Sequence, residues 1–366
     1  MEKGKTSTKV KVDSITLINF LLIVIVLFLH HVNYTQDYLW AISHRLINPY
    51  ETGIDQVLQK FAVGGFLFFS GYKLTISKQR EPTLAFLLNR FLRIYPLYFL
   101  AVVLFSVTVY PHIRGEMPSL GNFAVHTLAL QAWLPNLYQA NYLTIWFVSN
   151  LFFCYLAFIF IRRELSDTHR FLRAVTLIVV MINLAKIIAL RVYSVDIFSG
   201  HFDTYFLFFA LGMLSSKILT QGMSNPWQNS LYLPTVSIAC AIVLVGVNSF
   251  LSHDTIRFYV LERVLIFGFT VPAYWTLLQR LQGCLLSIKG AAFLKNISTA
   301  SLCVFLFHRP IWTVMYTFMP EKSWLQSLFI LGIGIPLIFL MSYYVQHFYS
   351  SQVLSRVLKR SQGIQS

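Results

Sequence analysis

Ile15-Thr-Leu-Ile-Asn-Phe-Leu-Leu-Ile-Val-Ile-Val-Leu-Phe-Leu-His-His-Val-Asn-Tyr34 is the stretch from which the rest of the chain is read. Its length matches the ~20 largely apolar residues a helix needs to cross a bilayer, and it lacks the small-residue cleavage site of a signal peptide. It therefore reads as a retained first span. Within it, Asn19 and His30 are separated by eleven residues, which at about 100° per residue returns them to nearly one face. The rise of ~1.5 Å per residue sets them ~16 Å apart along that face, from near the inner surface to the outer half of the bilayer. Ionisable groups at such depth are costly and persist where they face a protein interior or a watery cavity. His30 is accordingly the first candidate for chemistry, because an imidazole near neutrality can take a proton and return it. His31 reads as an amphipathic residue at the outer end of the helix.

Working outward, the composition agrees with that reading. The chain of 366 residues is 56% hydrophobic and 12% charged, with a mean hydropathy of +0.63, too apolar for an ordinary soluble domain. We expect an all-α, polytopic integral membrane protein with about ten spans, at 15–34, 57–77, 94–110, 142–161, 171–190, 202–220, 231–251, 258–280, 297–318 and 325–349. The division expected is a cytoplasmic N-terminal tail at 1–14, one membrane domain at 15–349 and a cytoplasmic C-terminal tail at 350–366. The longest non-spanning stretch, 111–141, has room for one interfacial helix from Ser119 to Trp133.

The formal charge of +15 follows this topology. With the N-terminus inside, nineteen of the 29 Lys and Arg fall in inner segments, five in outer loops and five within spans. That asymmetry is the positive-inside pattern, and an even number of spans returns the C-terminus to the cytoplasm. The charge is topogenic, and no nucleic-acid partner is expected. Cys154, Cys240, Cys284 and Cys303 lie far apart without metal-ligand spacing, so neither a disulfide framework nor a metal site is expected. There is no Walker A loop, His-Glu-x-x-His zinc motif or dinucleotide-binding glycine fingerprint.

Several further segments, taken in order, resemble one family. Asp13-Ser-Ile-Thr-Leu-Ile-Asn19 leads into the apolar run ending at His30. Phe66-Leu-Phe-Phe-Ser-Gly-Tyr72 lies in the second span, and Asn89-Arg-Phe-Leu-Arg-Ile-Tyr-Pro-Leu-Tyr98 opens the third. Leu143-Thr-Ile-Trp-Phe147, Phe208-Phe-Ala-Leu-Gly-Met213 and the helix from Ser298 to Pro310, with Phe-Leu-Phe-His308, follow. Together they make the chain similar to the membrane-bound acyltransferase 3 family of O-acyltransferases. The resemblance implies transfer of an acyl group, commonly acetyl from acetyl-CoA, to a hydroxyl of a saccharide or envelope glycan at the cytoplasmic (inner) membrane. It makes acetyl-CoA a co-substrate and His30 the general base or transient acyl carrier. One position departs from the pattern: the family's first helix carries Arg or Lys where this chain has Asn19. An amide can orient an oxygen but cannot neutralise its charge.

The remaining candidates fit the same chemistry. Arg90 and Arg93, three apart, suit the phosphates of an anionic donor; Arg162/Arg163 and Arg170/Arg173 read as positive-inside charge instead. Ser70, beside Gly71, sits where small residues permit a narrow passage, and Lys73 lies one turn on. No Gly-x-Ser-x-Gly surrounds Ser70 to make it a nucleophile. His308 and Arg309 next to Pro310 are expensive inside a membrane, which gives His308 a part in the site by orienting His30 or binding acceptor. Glu262-Arg263, His201, Asp203 and Asp37, with Trp133, Tyr142 and Trp146, are candidates for sugar contacts or, equally, for interface capping. A transporter or flippase using His30, Lys186 and His308 as a proton relay stays open, as does a catalytically lapsed family member.

Overall fold

In the computed structural model of the chain, the residues described are 2–35, 54–77, 82–134, 144–198, 201–220, 231–250, 256–281 and 291–355. Regular structure among them is helical throughout. Helix α1 spans Glu2–His31, α2 Ile54–Ile76, α3 Thr83–Val107, α4 Val109–Arg114 and α5 Leu120–Thr127. Then come α6 (Trp146–Ile161), α7 (Thr168–Tyr193), α8 (Phe202–Thr220), α9 (Tyr232–Phe250) and α10 (Ile256–Arg280). The chain continues through α11 (Ala291–Thr299), α12 (Ser301–Tyr316), α13 (Ser323–Ser327) and α14 (Gly334–Phe348). Wider-pitch π segments at Leu328–Ile333 and Tyr349–Leu354 flank α14.

Each of the ten expected spans overlaps helix, and 94–110, 297–318 and 325–349 each cover more than one helical piece. Six helical stretches among the described residues are long and apolar enough to cross a membrane, seven if the bent pair α11 and α12, which meet at 73°, counts as one span. The shortfall has physical causes. α2 carries Lys60 and Lys73 along with two glutamines, while α6 and α9 are apolar but short as described. The break before α12 splits the expected span 297–318 into two pieces that turn sharply at Ala300.

By internal packing the chain divides into two units. The first comprises Met1–Phe69, Gly222–Ser301 and Phe318–Phe339, the second Ser70–Gln221, Leu302–Thr317 and Leu340–Ser366. In the first, α1 buries Ile15, Ile18, Leu22 and Val26, spaced three or four apart, and packs on α10 and α11. Leu21, Val24 and Phe28 occupy its exposed face, as expected of a helix with one side turned to lipid. A side chain at Gly65 has no room, because its Cβ would stand 2.7 Å from Leu22 and 3.2 Å from the Tyr274 hydroxyl. That hydroxyl donates to the Phe61 carbonyl at 2.6 Å, satisfying a polar atom amid the rings of Phe61, Phe68 and Phe69.

In the second unit α3 packs against α5 and α6, and α8 against α6 and α7. The caps are those the sequence provides. Ser119 accepts from the Asn122 amide to start α5, and Asp167 accepts from the His169 and Arg170 amides to start α7. Those two bonds hold the Asp167 carboxyl below its ordinary range. The segment 126–134 is pinned to the core: Tyr98 donates its hydroxyl to the His126 carbonyl, and Gln131 donates to the Ile145 carbonyl at 3.1 Å. Ser149 donates to the carbonyl of Ala129 at 2.6 Å, a residue held at φ 55°. Interfacial helix and turn are thus fixed onto α3 and α6.

Candidate functional site

In the first unit, α1 carries the polar residues that the sequence singled out. Asn19 is buried, and its amide nitrogen lies 3.5 Å from the Ser298 hydroxyl on α11. His30 is half-buried in the last turn. Its carbonyl accepts from the amide of Asn33 at 3.2 Å and from the Asn33 side chain at 3.1 Å, closing the helix end. His31 departs from expectation, for it is 2% exposed rather than lying at the surface of the helix end. Its Nδ1 bonds the Phe28 carbonyl and its ring lies 5.3 Å from the Phe28 ring. A backbone bond at one ring nitrogen fixes imidazole orientation, so His31 is a held group.

Two of the expected site residues, Ser70 and Arg90, meet at Tyr155 in the second unit. The Ser70 hydroxyl lies 3.2 Å from that of Tyr155, in the middle of α6. The Arg90 guanidinium carbon stands 6.0 Å from the centre of the Tyr155 ring and 5.4 Å from that of Phe86, within the range of cation–π attraction. The charges of both Arg90 and Arg93 reach Tyr155. Arg93 itself is exposed, as is Lys73 one turn beyond Ser70 on α2. Gly71 explains how α2 fits there. A Cβ at that position would lie 2.2 Å from the Phe209 carbonyl oxygen on α8, so only glycine permits the approach.

Tyr155 is the member of this cluster that sequence reasoning missed. It sits mid-helix, away from either end, and that depth is the signal that marks it. His308 is fully buried on α12. Its Nδ1 bonds the Val304 carbonyl at 3.0 Å and its ring meets Trp312 edge-on at 5.7 Å. Arg309 is also buried, and Pro310 removes the amide that would otherwise serve the carbonyl one turn earlier.

The other candidates lie elsewhere in the fold. Asp203 is 1% exposed, accepting from Asn183 at 3.2 Å and from the Thr204 amide at 3.0 Å. Trp133 packs with Phe153, Phe198 and Phe202, and Trp146 with Tyr205. Glu262 is buried and Arg263 half-buried on α10, and His201 and Lys186 are half-buried. Arg162 donates to the Thr83 hydroxyl at 3.2 Å, and Arg170 pairs with Asp167 at 3.6 Å on the surface, as suits charges with a topogenic role. Asp37, Tyr142 and Cys284 lie outside the described residues. Among the described residues there is no group of three or more metal-ligating side chains.

A family model described as Acyltransferase domain (Acyl_transf_3) matches residues 12–343, nearly the whole chain. The chain belongs to this acyltransferase 3 family. No curated protein and no solved structure matches it. The protein is therefore a multi-pass membrane acyltransferase in general class, and its helices place one Arg–Tyr–Ser cluster, with a second cation close by, inside one packed unit.

Proposed function

We propose that this acyltransferase moves an acyl group, acetyl in the reading the resemblance implies, from acyl-CoA to a hydroxyl of an extracytoplasmic saccharide or envelope glycan at the cytoplasmic membrane. The observation that carries the proposal is the Arg90–Tyr155–Ser70 cluster with Arg93 nearby: cations and hydroxyl groups gathered at one place in a membrane helix bundle. Guanidinium groups bind phosphate oxygens through charge-assisted hydrogen bonds, which suits the anionic half of a CoA thioester. Lys73 and Ser70, on the same face of α2, complete the donor side.

His30 acts as general base. Its ring nitrogen takes the proton of the acceptor hydroxyl while the oxygen attacks the thioester carbonyl carbon. The tetrahedral intermediate collapses with cleavage of the C–S bond, and the imidazolium returns the proton to the departing thiolate. Asn19 orients a polar group along the stripe without neutralising it, and His308 is a positioning residue held by its own helix. The test is transfer of labelled acyl group from acyl-CoA to glycan in proteoliposomes. The proposal predicts label in the glycan. Solute uptake with no transfer would support a transporter and overturn it.

A further inference from the structure

Beside the cluster, a cavity of about 490 Å³ opens between α3, the 128–133 turn and α6. Its walls include Leu84, Leu88, Phe91, Leu128 and Leu156, all exposed on the outer surface of the helices, and no carboxylate lines it. Arg90 is the single charged residue in the lining, and its Nε is buried without a hydrogen-bond partner among the described residues. A groove with leucine and aromatic walls, one cation and no anion is complementary to an amphiphile with an apolar tail and a negatively charged head.

We propose that this groove receives the acyl chain of the thioester donor, with Arg90 facing its anionic part, so that the enzyme binds donors with chains longer than acetyl. The inference rests on the donor-site reading above and specifies the substrate class for it. Size supports it. Small-molecule sites occupy ~300–1,000 Å³, and an acetyl group would leave most of this apolar wall without contacts. Access supports it as well, because a groove flanked by lipid-facing leucines admits a chain sideways from the bilayer while the charged portion stays at the cation.

The test is titration of the purified full-length protein in amphipol with acetyl-, butanoyl- and octanoyl-CoA, together with native mass spectrometry. The dissociation constant should fall about three- to fourfold per added methylene. In Leu156→Trp, which fills the groove from α6, the preference for octanoyl over acetyl should collapse. Leu128→Trp fills it from the opposite wall and serves if the first variant does not fold. A flat chain-length series with measurable binding overturns the inference and leaves the donor site standing. Failure of every CoA thioester to bind the folded protein overturns the donor reading itself. A co-purifying phospholipid that is lost in Leu156→Trp but not displaced by octanoyl-CoA assigns the groove to bilayer lipid and overturns the inference.

Discussion

The end of α1 and the middle of α12 each place an imidazole within an apolar helix, yet the two are built differently. His308 is fully enclosed, tied through Nδ1 to the Val304 carbonyl and walled by Trp312. His30 stands half-buried in a last turn whose carbonyl is capped by Asn33. An enclosed ring bonded to its own helix shapes its surroundings. A half-buried ring at a helix end can meet substrate. The contrast extends to His31, adjacent to His30 in sequence but buried and bonded to the Phe28 carbonyl. Depth within the membrane is thus a poor guide to chemical duty, and accessibility is the better one.

Substitutions should separate these roles. His30→Ala should lower acyl transfer by ~10²–10⁴-fold, the range of general acid–base catalysis, with little change in thermal unfolding in detergent. His308→Ala should mainly lose stability, with a smaller fall in transfer than His30→Ala. Removing a fully buried ring costs roughly 3–5 kcal/mol by analogy with other large-to-small core changes, and the loss should be read as a lower Tm. Equal transfer by both variants would dissolve the distinction.

Between these extremes lies the cluster proposed to bind the donor. Arg90→Ala should raise the donor KM by roughly ten- to a hundredfold, as expected for loss of a hydrogen bond to a charged group worth ~1.5–3 kcal/mol. Tyr155→Phe removes only the hydroxyl beside Ser70, for about 0.5–1.5 kcal/mol, a KM change of tenfold or less. A Tyr155→Phe effect larger than that of Arg90→Ala would shift the centre of the donor site from cation to hydroxyl.

A further effect expected is one of pH. Burial pushes the His126 imidazole on α5 down to about 4 from 6.5, against the opposing bond to the Asn122 carbonyl. The unfolded chain therefore takes up this proton before the folded one does. The stability is complete above 6.5 and declines as pH falls toward 4. Unfolding temperature measured across that interval should drop in the wild type and drop less in His126→Gln; parallel curves would remove His126 as the titrating group.

The helical architecture was legible because hydrocarbon imposes long apolar runs, and each expected span overlaps helix. The sharp turn at Ala300 was not legible. Asn296, Ser298, Thr299 and Ser301 interrupt the apolar pattern there, but no glycine or proline in the segment marks a bend. Arg90 and Ser70 could be nominated from residue type and position, but not their meeting at Tyr155. That depends on how α2, α3 and α6 pack, and local periodicity does not encode it. Likewise, the sequence reads His31 as a surface residue of the helix end, and only the fold shows it buried. Gly71 could be read as a packing residue, whereas the Phe209 carbonyl that excludes a side chain there comes from a helix far along the chain.

The most direct measurement is single-turnover transfer from labelled acyl-CoA to a glycan acceptor in proteoliposomes, comparing wild type, His30→Ala and His31→Ala. Labelled ester should form with the wild type, vanish with His30→Ala and persist at a reduced level with His31→Ala. Normal turnover by His30→Ala would contradict the assignment of the transferring base to that imidazole.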